Sequence, residues 1–381
     1  MPKLSKFNKN ESNTSIKHIL IAFGIIICLL AAFGIYRTHA IYTTNGEYDV
    51  IRSKIGDFSK KTIDCTGMLL KDCIIALSEI DESVVQQTQP TTTQTGSNAT
   101  TDYRYIGADP DNYVCLETSG VCTEDQLYRI IGVIPTQKVV NGIFEYRVKL
   151  IKSSHYVGST AIDYPGCCME GKGYFWHSSS NNGNNDWTTS LLNKDVLNST
   201  TNGYSYWQSI SAYHKYIDDT VWYLGASSIV SPQNFYMNER GTVRGNASGP
   251  NNYRTTTKIG LMYASDYGYA TSGGNEEQRS TCLSYLMSKW SDSSYDFCRD
   301  NDWLRDLYGA EWSIVSSGDA NFLANYMSGG NSGGIGNGPT YNYNPTSTMP
   351  RLAIRPVFNL ASNVKYNGGT GEHDNPYLIS L

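Results

Sequence analysis

Cysteine is the residue type with the most definite chemistry in this chain of 381 residues. Of nine cysteines, Cys28 lies within a long apolar run, which leaves an even number of eight for disulfides in an oxidising compartment. The short separations favour three local bridges: Cys65–Cys73, Cys115–Cys122 and Cys282–Cys298. Cys167 and Cys168 are adjacent, and either bond to each other or bridge elsewhere. Because eight cysteines allow on the order of 100 pairings, this connectivity is a hypothesis.

A redox or hydrolytic activity would need a reactive group beside a matched partner. A strained bond between Cys167 and Cys168 would be easily reduced, but structural bridging is the simpler interpretation. The chain contains no HExxH motif, and none of its six histidines can be matched to a nucleophile. An extracellular oxidoreductase or glycan hydrolase is therefore kept only as an alternative function.

Oxygen ligands for a cation occur near the C-terminus, in Glu372, Asp374 and Asn375. The segment lacks the alternating acids of a strong calcium loop, so a hairpin turn is the favoured interpretation and calcium the alternative. Zinc is not indicated, since neither a CxxC pair nor an HxxxH motif occurs. The sequence thus predicts no cofactor.

Aromatic side chains next to loops rich in Asn, Ser and Gly give the stronger functional signal. Aromatic planes flanked by amides suit stacking on sugar rings or anchoring of a partner protein. The predicted ligand-binding residues are Trp176, His177, Trp187, Tyr326, Tyr341, Asn342, Tyr343 and Asn344. The alternative is that Trp176 and Trp187 belong to the core, because large aromatic side chains dominate core packing.

An uninterrupted apolar run from Ile19 to Tyr36 predicts on which side of a membrane these residues lie. Its eighteen residues would form a helix about 27 Å long, close to the thickness of a bilayer core. Lysines before the run predict a cytoplasmic tail over residues 1–18, so everything after Arg37 is expected outside the cell. A cleaved signal peptide is the alternative, although the run is long for one.

The composition is poor in charge and rich in tyrosine. Charged residues make up only 17 % of the chain and the net charge is −5, so no basic surface for nucleic acid is expected. Polarity comes from Asn, Ser, Thr and Gly beside 29 tyrosines, as in recognition loops, but also as in other charge-poor extracellular β-rich proteins.

Changes in composition divide the exported part into three segments. Residues 37–85 are a membrane-proximal segment, with helical apolar spacing over Met68–Ile80. Residues 86–101 are rich in Thr and Gln and lack a large apolar side chain, which predicts a linker. Residues 102–381 are then the main domain, long enough to bury one core.

The main domain is expected to be α+β, with β-strands, short helices and long loops. The β-rich runs Leu127–Ile134 and Phe144–Ile151 flank a turn and predict a hairpin, and Val364–Tyr366 with Pro376–Ile379 predict another. Further expectations are helices over Trp187–Leu197 and Cys282–Trp290, and strands over Ile259–Ala264, Trp312–Val315 and Leu352–Leu360.

Several motifs resemble, in the expected order, a C-terminal domain of membrane-anchored surface proteins of Gram-positive bacteria. They include Arg104–Val114 (RYIGADPDNYV), Trp187–Asn193 (WTTSLLN), Lys258–Ala270 (KIGLMYASDYGYA) and Ile354–Val357 (IRPV). The resemblance spans residues 102–381 and implies a surface protein, but the family has no established activity to carry over.

A more distant resemblance is to the C-type-lectin-like fold, in the variant used by formylglycine-generating enzymes and by retroelement-diversified binding proteins. The segment Arg355–Val357 is similar to the one that closes that domain, and the Tyr326–Asn344 loop is similar to the display surface of the binding members. The chain departs from the cysteine block of the enzymes, because Arg-Asp-Asn-Asp follows Cys298. The resemblance implies a β-rich lectin-like domain without the oxidase activity.

Together these observations predict a single-pass cell-membrane protein with an extracellular C-type-lectin-like domain. Its predicted function is binding or adhesion to a glycan, a cell-wall component or a protein partner, with no role in nucleic-acid binding. The alternatives are an extracellular enzyme on the same scaffold and a structural component of the envelope.

Overall fold

The computed structural model describes residues 63–92, 100–117, 122–138, 142–163, 171–177, 185–241, 254–305, 309–319, 323–329, 332–339 and 351–381. All of them belong to one compact unit, Ile63–Leu381. The predicted anchor over 19–36, the pair Cys167 and Cys168, and residues 341–344 lie outside the described residues. Within those ranges, no helix combines the length and apolarity that a membrane span requires.

The β-strands in these ranges are short, apart from two. They are β1 Val84–Thr88, β2 Thr101–Tyr105, β3 Tyr113–Cys115, β4 Leu127–Gln137, β5 Phe144–Lys152, β6 Ile162–Asp163, β7 Lys172–Gly173, β8 Thr220–Tyr223, β9 Arg254–Thr257, β10 Glu311–Ser316, β11 Leu323–Met327, β12 Ile335–Pro339, β13 Val357–Asn359, β14 Lys365–Tyr366 and β15 Tyr377–Ser380.

The helices are also short. The α-helices are α1 Leu70–Leu77, α2 Tyr206–Ser209, α3 Pro232–Glu239, α4 Ala264–Ala270, α5 Glu276–Ser284 and α6 Asp296–Asp300. The 3₁₀-helices are Glu124–Gln126, Trp187–Thr189, Ser211–Tyr216, Met287–Ser291 and Ser293–Tyr295, and Leu192–Leu197 is a π-helix.

The largest sheet is built around β4 and has eight strands in the described part of the chain. On one side β4 pairs with β5, and on the other it pairs with β2 and β3. β1 extends the sheet beyond β2, and β13 extends it beyond β5. The antiparallel pair of β14 and β15 joins through a parallel contact between β15 and β3. The sheet therefore unites segments from both ends of the compact unit.

Both predicted hairpins are confirmed. β4 and β5 pair antiparallel on either side of the turn that follows Gln137, and β14 pairs with β15. β4 needs a glycine at position 132, because a Cβ there would clash with the backbone carbonyl of Tyr103 on β2. The register of β4 against β5 shifts between Ile130 and Gly132, as expected of a bulge at a glycine.

Smaller antiparallel sheets complete the α+β architecture that the sequence predicts. β10, β11 and β12 form a three-stranded sheet. β6 pairs with β7, and β8 pairs with β9. The predicted strand over Trp312–Val315 is thus confirmed within β10.

One hydrophobic cluster draws residues from the large sheet, the three-stranded sheet and the helices. It is rich in aromatic side chains, and five tryptophans are at most 1 % exposed: Trp176, Trp187, Trp222, Trp290 and Trp312. The Trp176 ring meets those of Trp187 and Trp312 edge-to-face, with centroids 5.3 and 5.8 Å away. Such pairs add about 0.5–1.5 kcal/mol beyond the burial itself.

The folded unit begins before Asp102, where the composition predicts the start of the main domain. α1 packs against β4 and β5 and buries Leu70 and Ile74. β1, which overlaps the predicted linker, pairs with β2 along its whole length. Gln89 is buried and donates a hydrogen bond to Asp102. Strand pairing thus incorporates a polar segment that has no large apolar side chain of its own.

Two elements differ in type from the prediction. The segment Trp187–Leu197 forms a 3₁₀ turn and then a π-helix, with Asp186 as the N-cap of the turn. The segment Ile259–Ala264 is not a strand but leads into α4. All seven residues of α4 are buried, so its sequence carries no amphipathic period that would separate a buried helix from a buried strand.

The three local disulfides predicted from spacing are confirmed. Cys65–Cys73, Cys115–Cys122 and Cys282–Cys298 have Cα–Cα distances of 5.3, 5.9 and 5.6 Å, within the usual range for a disulfide. The last of them joins α5 to α6.

Candidate functional site

A cleft of about 560 Å³ opens beside the starts of β3 and β4 and the end of β5. The segment that follows α6 and the segment that precedes β13 also line it. Four arginines line this arginine cleft: Arg129, Arg299, Arg305 and Arg355. In a chain with so few charged residues, this concentration singles the cleft out.

Arg129 projects from β4 and is held between two aromatic rings. Its guanidinium carbon lies 4.4 Å from the ring centroid of Tyr113 and 4.6 Å from that of Trp303. Nε donates to Asn112 at 2.7 Å, and Nη2 donates to the Pro110 carbonyl and to Asp109. Nη1 has no hydrogen-bond partner among the described residues.

Arg355 also lines the cleft and is buried. Its Nε lies 2.8 Å from Glu311 Oε1, and its Nη2 donates to the Leu304 carbonyl at 2.6 Å. Glu311 Oε1 also lies 3.5 Å from His155 Nε2. Arg355 is thus fixed in place by one carboxylate and one backbone carbonyl.

The two buried arginines repel each other. Arg129 is 8 % exposed and Arg355 is 6 % exposed, so water screens their charges poorly. Burial lowers the pKa of Arg129; Tyr113 and Asp109 oppose this shift, and the positive charge of Arg355 adds to it. An anion placed between two such groups would relieve the repulsion, which makes the cleft suited to an oxyanion.

The turn after α6 places Asp302 in the cleft. Its backbone forms bridges to Gly107 and to Thr271, at the end of α4. The next residue, Trp303, donates its indole N–H to the Tyr105 carbonyl at 2.9 Å. These contacts tie the turn to the large sheet and to α4, so the position of Asp302 is fixed by the fold.

Only one oxygen of the Asp302 carboxyl group has a hydrogen-bond partner in the described part of the chain. Oδ1 accepts the Leu304 backbone N–H at 2.9 Å, whereas Oδ2 is buried without a hydrogen-bond partner in the described part of the chain. Burial raises the pKa of Asp302 well above its usual range, although Leu304 and the charges of Arg355 and Arg305 oppose the shift. Burial therefore favours the protonated form of this carboxyl group.

The rim of the cleft carries further charges. Arg305 pairs with Asp300, and Arg299 donates to the Trp290 carbonyl at 2.9 Å. On the opposite rim, His373 Nε2 lies 3.2 Å from Glu124 Oε1. The interior thus combines arginine guanidinium groups with the buried Asp302 carboxyl group, while the rim carries paired charges of both signs.

The aromatic residues predicted to bind a ligand lie elsewhere, and the tryptophans are buried. Trp176 is 0 % exposed and Trp187 is 1 % exposed, so neither ring offers a plane for stacking. The core alternative is therefore correct for both, because edge-to-face packing against Trp312 accounts for their position.

His177 and Tyr326 are near this tryptophan cluster rather than in the arginine cleft. His177 is 1 % exposed, and its Nε2 lies 3.3 Å from Thr189 Oγ1. Burial lowers the pKa of His177, which opposes protonation. Tyr326 is half-buried and packs edge-to-face on Trp312. The predicted residues Tyr341, Asn342, Tyr343 and Asn344 lie outside the described residues, so that part of the site stays a prediction.

The C-terminal turn has the hairpin character favoured over a calcium loop. Glu372 bridges to Asn375 through the backbone, and its carboxylate accepts a hydrogen bond from Thr370. No group of three or more His, Cys, Asp or Glu side chains in the described ranges is arranged to hold a metal ion.

The residues of the arginine cleft were not selected from the sequence. Their signal is nevertheless present, because Arg129 and Arg355 interrupt the apolar runs LYRIIGVI and LAIRPVF. A charged residue inside a buried run is rare unless it is paired, so it marks a polar site. Asp302 had no comparable signal, since its burial depends on contacts with distant segments.

No protein-family model matches this chain, and no curated protein or solved structure matches it significantly.

Proposed function

We propose that this chain is a cell-surface binding module whose ligand presents an anionic group to the arginine cleft. The ligand is a glycan or cell-wall polymer that carries carboxylate or phosphate groups. The observation that carries the proposal is the pair of buried arginines, Arg129 and Arg355, which line the same open cleft and repel each other.

The surroundings of the pair support binding rather than structural pairing. Glu311 compensates one of the two charges, while Asp109, which faces Arg129, is largely exposed and 3.3 Å away. Nη1 of Arg129 has no described partner, so it is available to donate to a ligand. Charge-assisted hydrogen bonds to an oxyanion are about twice as strong as neutral ones.

The lectin-like architecture and the surface location belong to the same proposal. Three disulfides in the described unit support an oxidising compartment. The apolar run Ile19–Tyr36 would anchor the chain, and the binding unit would then face outward.

The proposal is tested by adding a charge at the rim rather than by removing a buried arginine. Ala108 is exposed and lines the cleft. Ala108→Glu should weaken binding of the full-length protein to poly(glycerol phosphate) or a polyuronate about tenfold, or ~1.4 kcal/mol. Ala108→Gln adds the same bulk without charge and should stay within about twofold of wild type. Binding is measured on immobilised polymer at low salt.

Neutral dextran is the control ligand and should not bind. Equal affinity for dextran and the charged polymers would contradict the proposal. So would equal binding by the Glu and Gln variants, because an anion in this cleft must respond to an added carboxylate.

A further inference from the structure

The unpaired oxygen of Asp302 is the feature of the cleft that the arginines do not explain. Asp302 is 4 % exposed, and its Oδ2 has no hydrogen-bond partner in the described part of the chain. An ionised carboxylate that is buried this deeply normally accepts hydrogen bonds on both oxygens. The arrangement fits a neutral carboxylic acid, with the carbonyl oxygen on the Leu304 N–H and the hydroxyl on Oδ2.

The arginines near Asp302 are engaged with other groups and do not stabilise an ionised Asp302 by a direct ion pair in the described ranges. Arg355 is engaged with Glu311 and with the Leu304 carbonyl, and Arg305 with Asp300. Neither forms an ion pair with the Asp302 carboxyl group at salt-bridge distance in the described ranges. The proton on Oδ2 is therefore compatible with the positive charges nearby.

We propose that Asp302 donates its proton as a hydrogen bond to the oxyanion of the ligand, beside the guanidinium donors of Arg129 and Arg355. This inference rests on the proposed function and adds a residue that decides specificity. A carboxylate at this position would repel an anion, whereas a neutral acid contributes one more donor. The cleft would thus take an anion only while Asp302 keeps its proton.

A dependence on pH follows, with a definite sign. Ligand binding favours the protonated acid, so affinity is highest at low pH and falls as the pH rises through the pKa of Asp302. If only the protonated form binds, the affinity falls about tenfold for each pH unit above that pKa.

Other titratable groups around the cleft must be separated from Asp302. His155 and His373 line it, and protonated imidazoles attract the same ligand. Glu124 and Asp300 also line it, as do Arg299 and Arg305. These groups are the same in any variant of Asp302, so a comparison of variants isolates the contribution of the acid.

The test compares wild type with Asp302→Asn. The carboxamide keeps an acceptor for the Leu304 N–H and presents an N–H donor that does not titrate. Binding of the full-length proteins to poly(glycerol phosphate) is measured from about pH 4.5 to about pH 9, where a phosphodiester keeps its charge. A polyuronate, as a second arm, distinguishes a carboxylate ligand from a phosphate ligand.

Wild type should lose affinity with rising pH more steeply than D302N, which should retain binding at high pH. Asp302→Ala, which lacks the donor, should bind about fivefold more weakly than D302N at any pH. Thermal unfolding of each variant shows that it is folded.

Parallel pH profiles for wild type and D302N, with binding intact, would overturn the role of Asp302 and leave the proposed function standing. Failure of every anionic polymer to bind either protein at any pH would overturn the proposed function and this inference together. The two failures are therefore distinguishable in one experiment.

Discussion

At the scale of single residues, several charged side chains in the described part of the protein are buried and paired with one another. Asp266 at the start of α4 accepts from the Tyr263 backbone and pairs with Arg104 and Lys149, all of them buried. Arg104 pairs in turn with Asp102 on its own strand. A network of this kind ties β2, β5 and α4 together, and removing one partner leaves a buried charge without compensation.

Asp266→Asn should therefore lower the free energy of unfolding by ~3–5 kcal/mol at neutral pH, measured by urea denaturation. Burial alone would raise the pKa of Asp266, but the charges of Lys149 and Arg104 lower it to about 2. The contribution is complete above the unfolded-state pKa of about 3.9 and is lost as the pH falls through the folded value. D266N should lack this loss.

The matched control is Asp72→Asn, which breaks an ion pair with Lys71 on the surface. That change should lower the free energy of unfolding by less than about 1 kcal/mol, because exposed ion pairs contribute little to stability. Equal destabilisation by the two variants would show that burial does not set the strength of the Asp266 network.

Two of the aromatic residues predicted to bind a ligand, Trp176 and Trp187, belong to the core. Trp176 and Trp187 were chosen because aromatic rings next to polar loops suit recognition, but the same rings are the largest available core side chains. Burial separates the two roles, and burial depends on contacts between segments that are distant in sequence. The arginines gave a local signal, since each interrupts an apolar run, whereas the effect of Asp302 depends on the turn that carries it.

At the scale of elements, the site depends on a short segment that is fixed at several points. The Cys282–Cys298 disulfide joins α5 to α6, and the Cys298 carbonyl accepts a hydrogen bond from Thr271 Oγ1 at 2.5 Å. Asp302 follows α6 directly and bridges to Thr271. The disulfide therefore lies close in sequence to Asp302, the proposed hydrogen-bond donor to the ligand.

Replacing both Cys282 and Cys298 by Ser should lower the free energy of unfolding by about 3 kcal/mol, as expected for a loop of this length. It should also weaken polymer binding several-fold, because the turn that carries Asp302 loses one of its fixed points. Denaturant unfolding and polymer binding are measured on the same protein samples.

The double Ser variant of Cys65 and Cys73 is the control. This bridge encloses the start of α1, far along the chain from the cleft, so the variant should lose stability but keep its affinity. A loss of affinity in both variants would mean that general destabilisation, rather than the position of the turn, controls binding.

An element is predictable from the sequence where its own residues and the adjacent turn carry the signal. The hairpin of β4 and β5 was predictable because β-branched and aromatic residues are bounded by a glycine-containing turn. The helix α4 was not predictable, because all of its residues are buried and its sequence therefore shows no alternation of apolar and polar residues with helical spacing. β1 was not either, because its pairing with β2 comes from the fold and not from its own composition.

At the scale of the whole molecule, the first described elements form hydrogen bonds with the last ones. α1 donates its Leu70 N–H to the Val364 carbonyl at 2.9 Å, and Tyr366 of β14 donates to the Met68 carbonyl. β15 in turn pairs with β3. Segments on both sides of the predicted linker thus belong to one compact unit, and this has a direct consequence for where the unit can be cut.

A fragment that begins at Asp102, where the composition places the domain boundary, should fail to fold cooperatively. It lacks β1 and three nearly inaccessible core residues, Leu70, Ile74 and Val84. Each buried aliphatic side chain contributes about 1.5–3 kcal/mol, and the sum approaches the ~5–15 kcal/mol by which whole domains are stable. A fragment that begins at Ile63 keeps these residues and should unfold in a single sharp urea transition. If the shorter fragment unfolds at the same urea concentration as the longer one, residues 63–92 are an accessory to the fold and the composition-based boundary is the correct one.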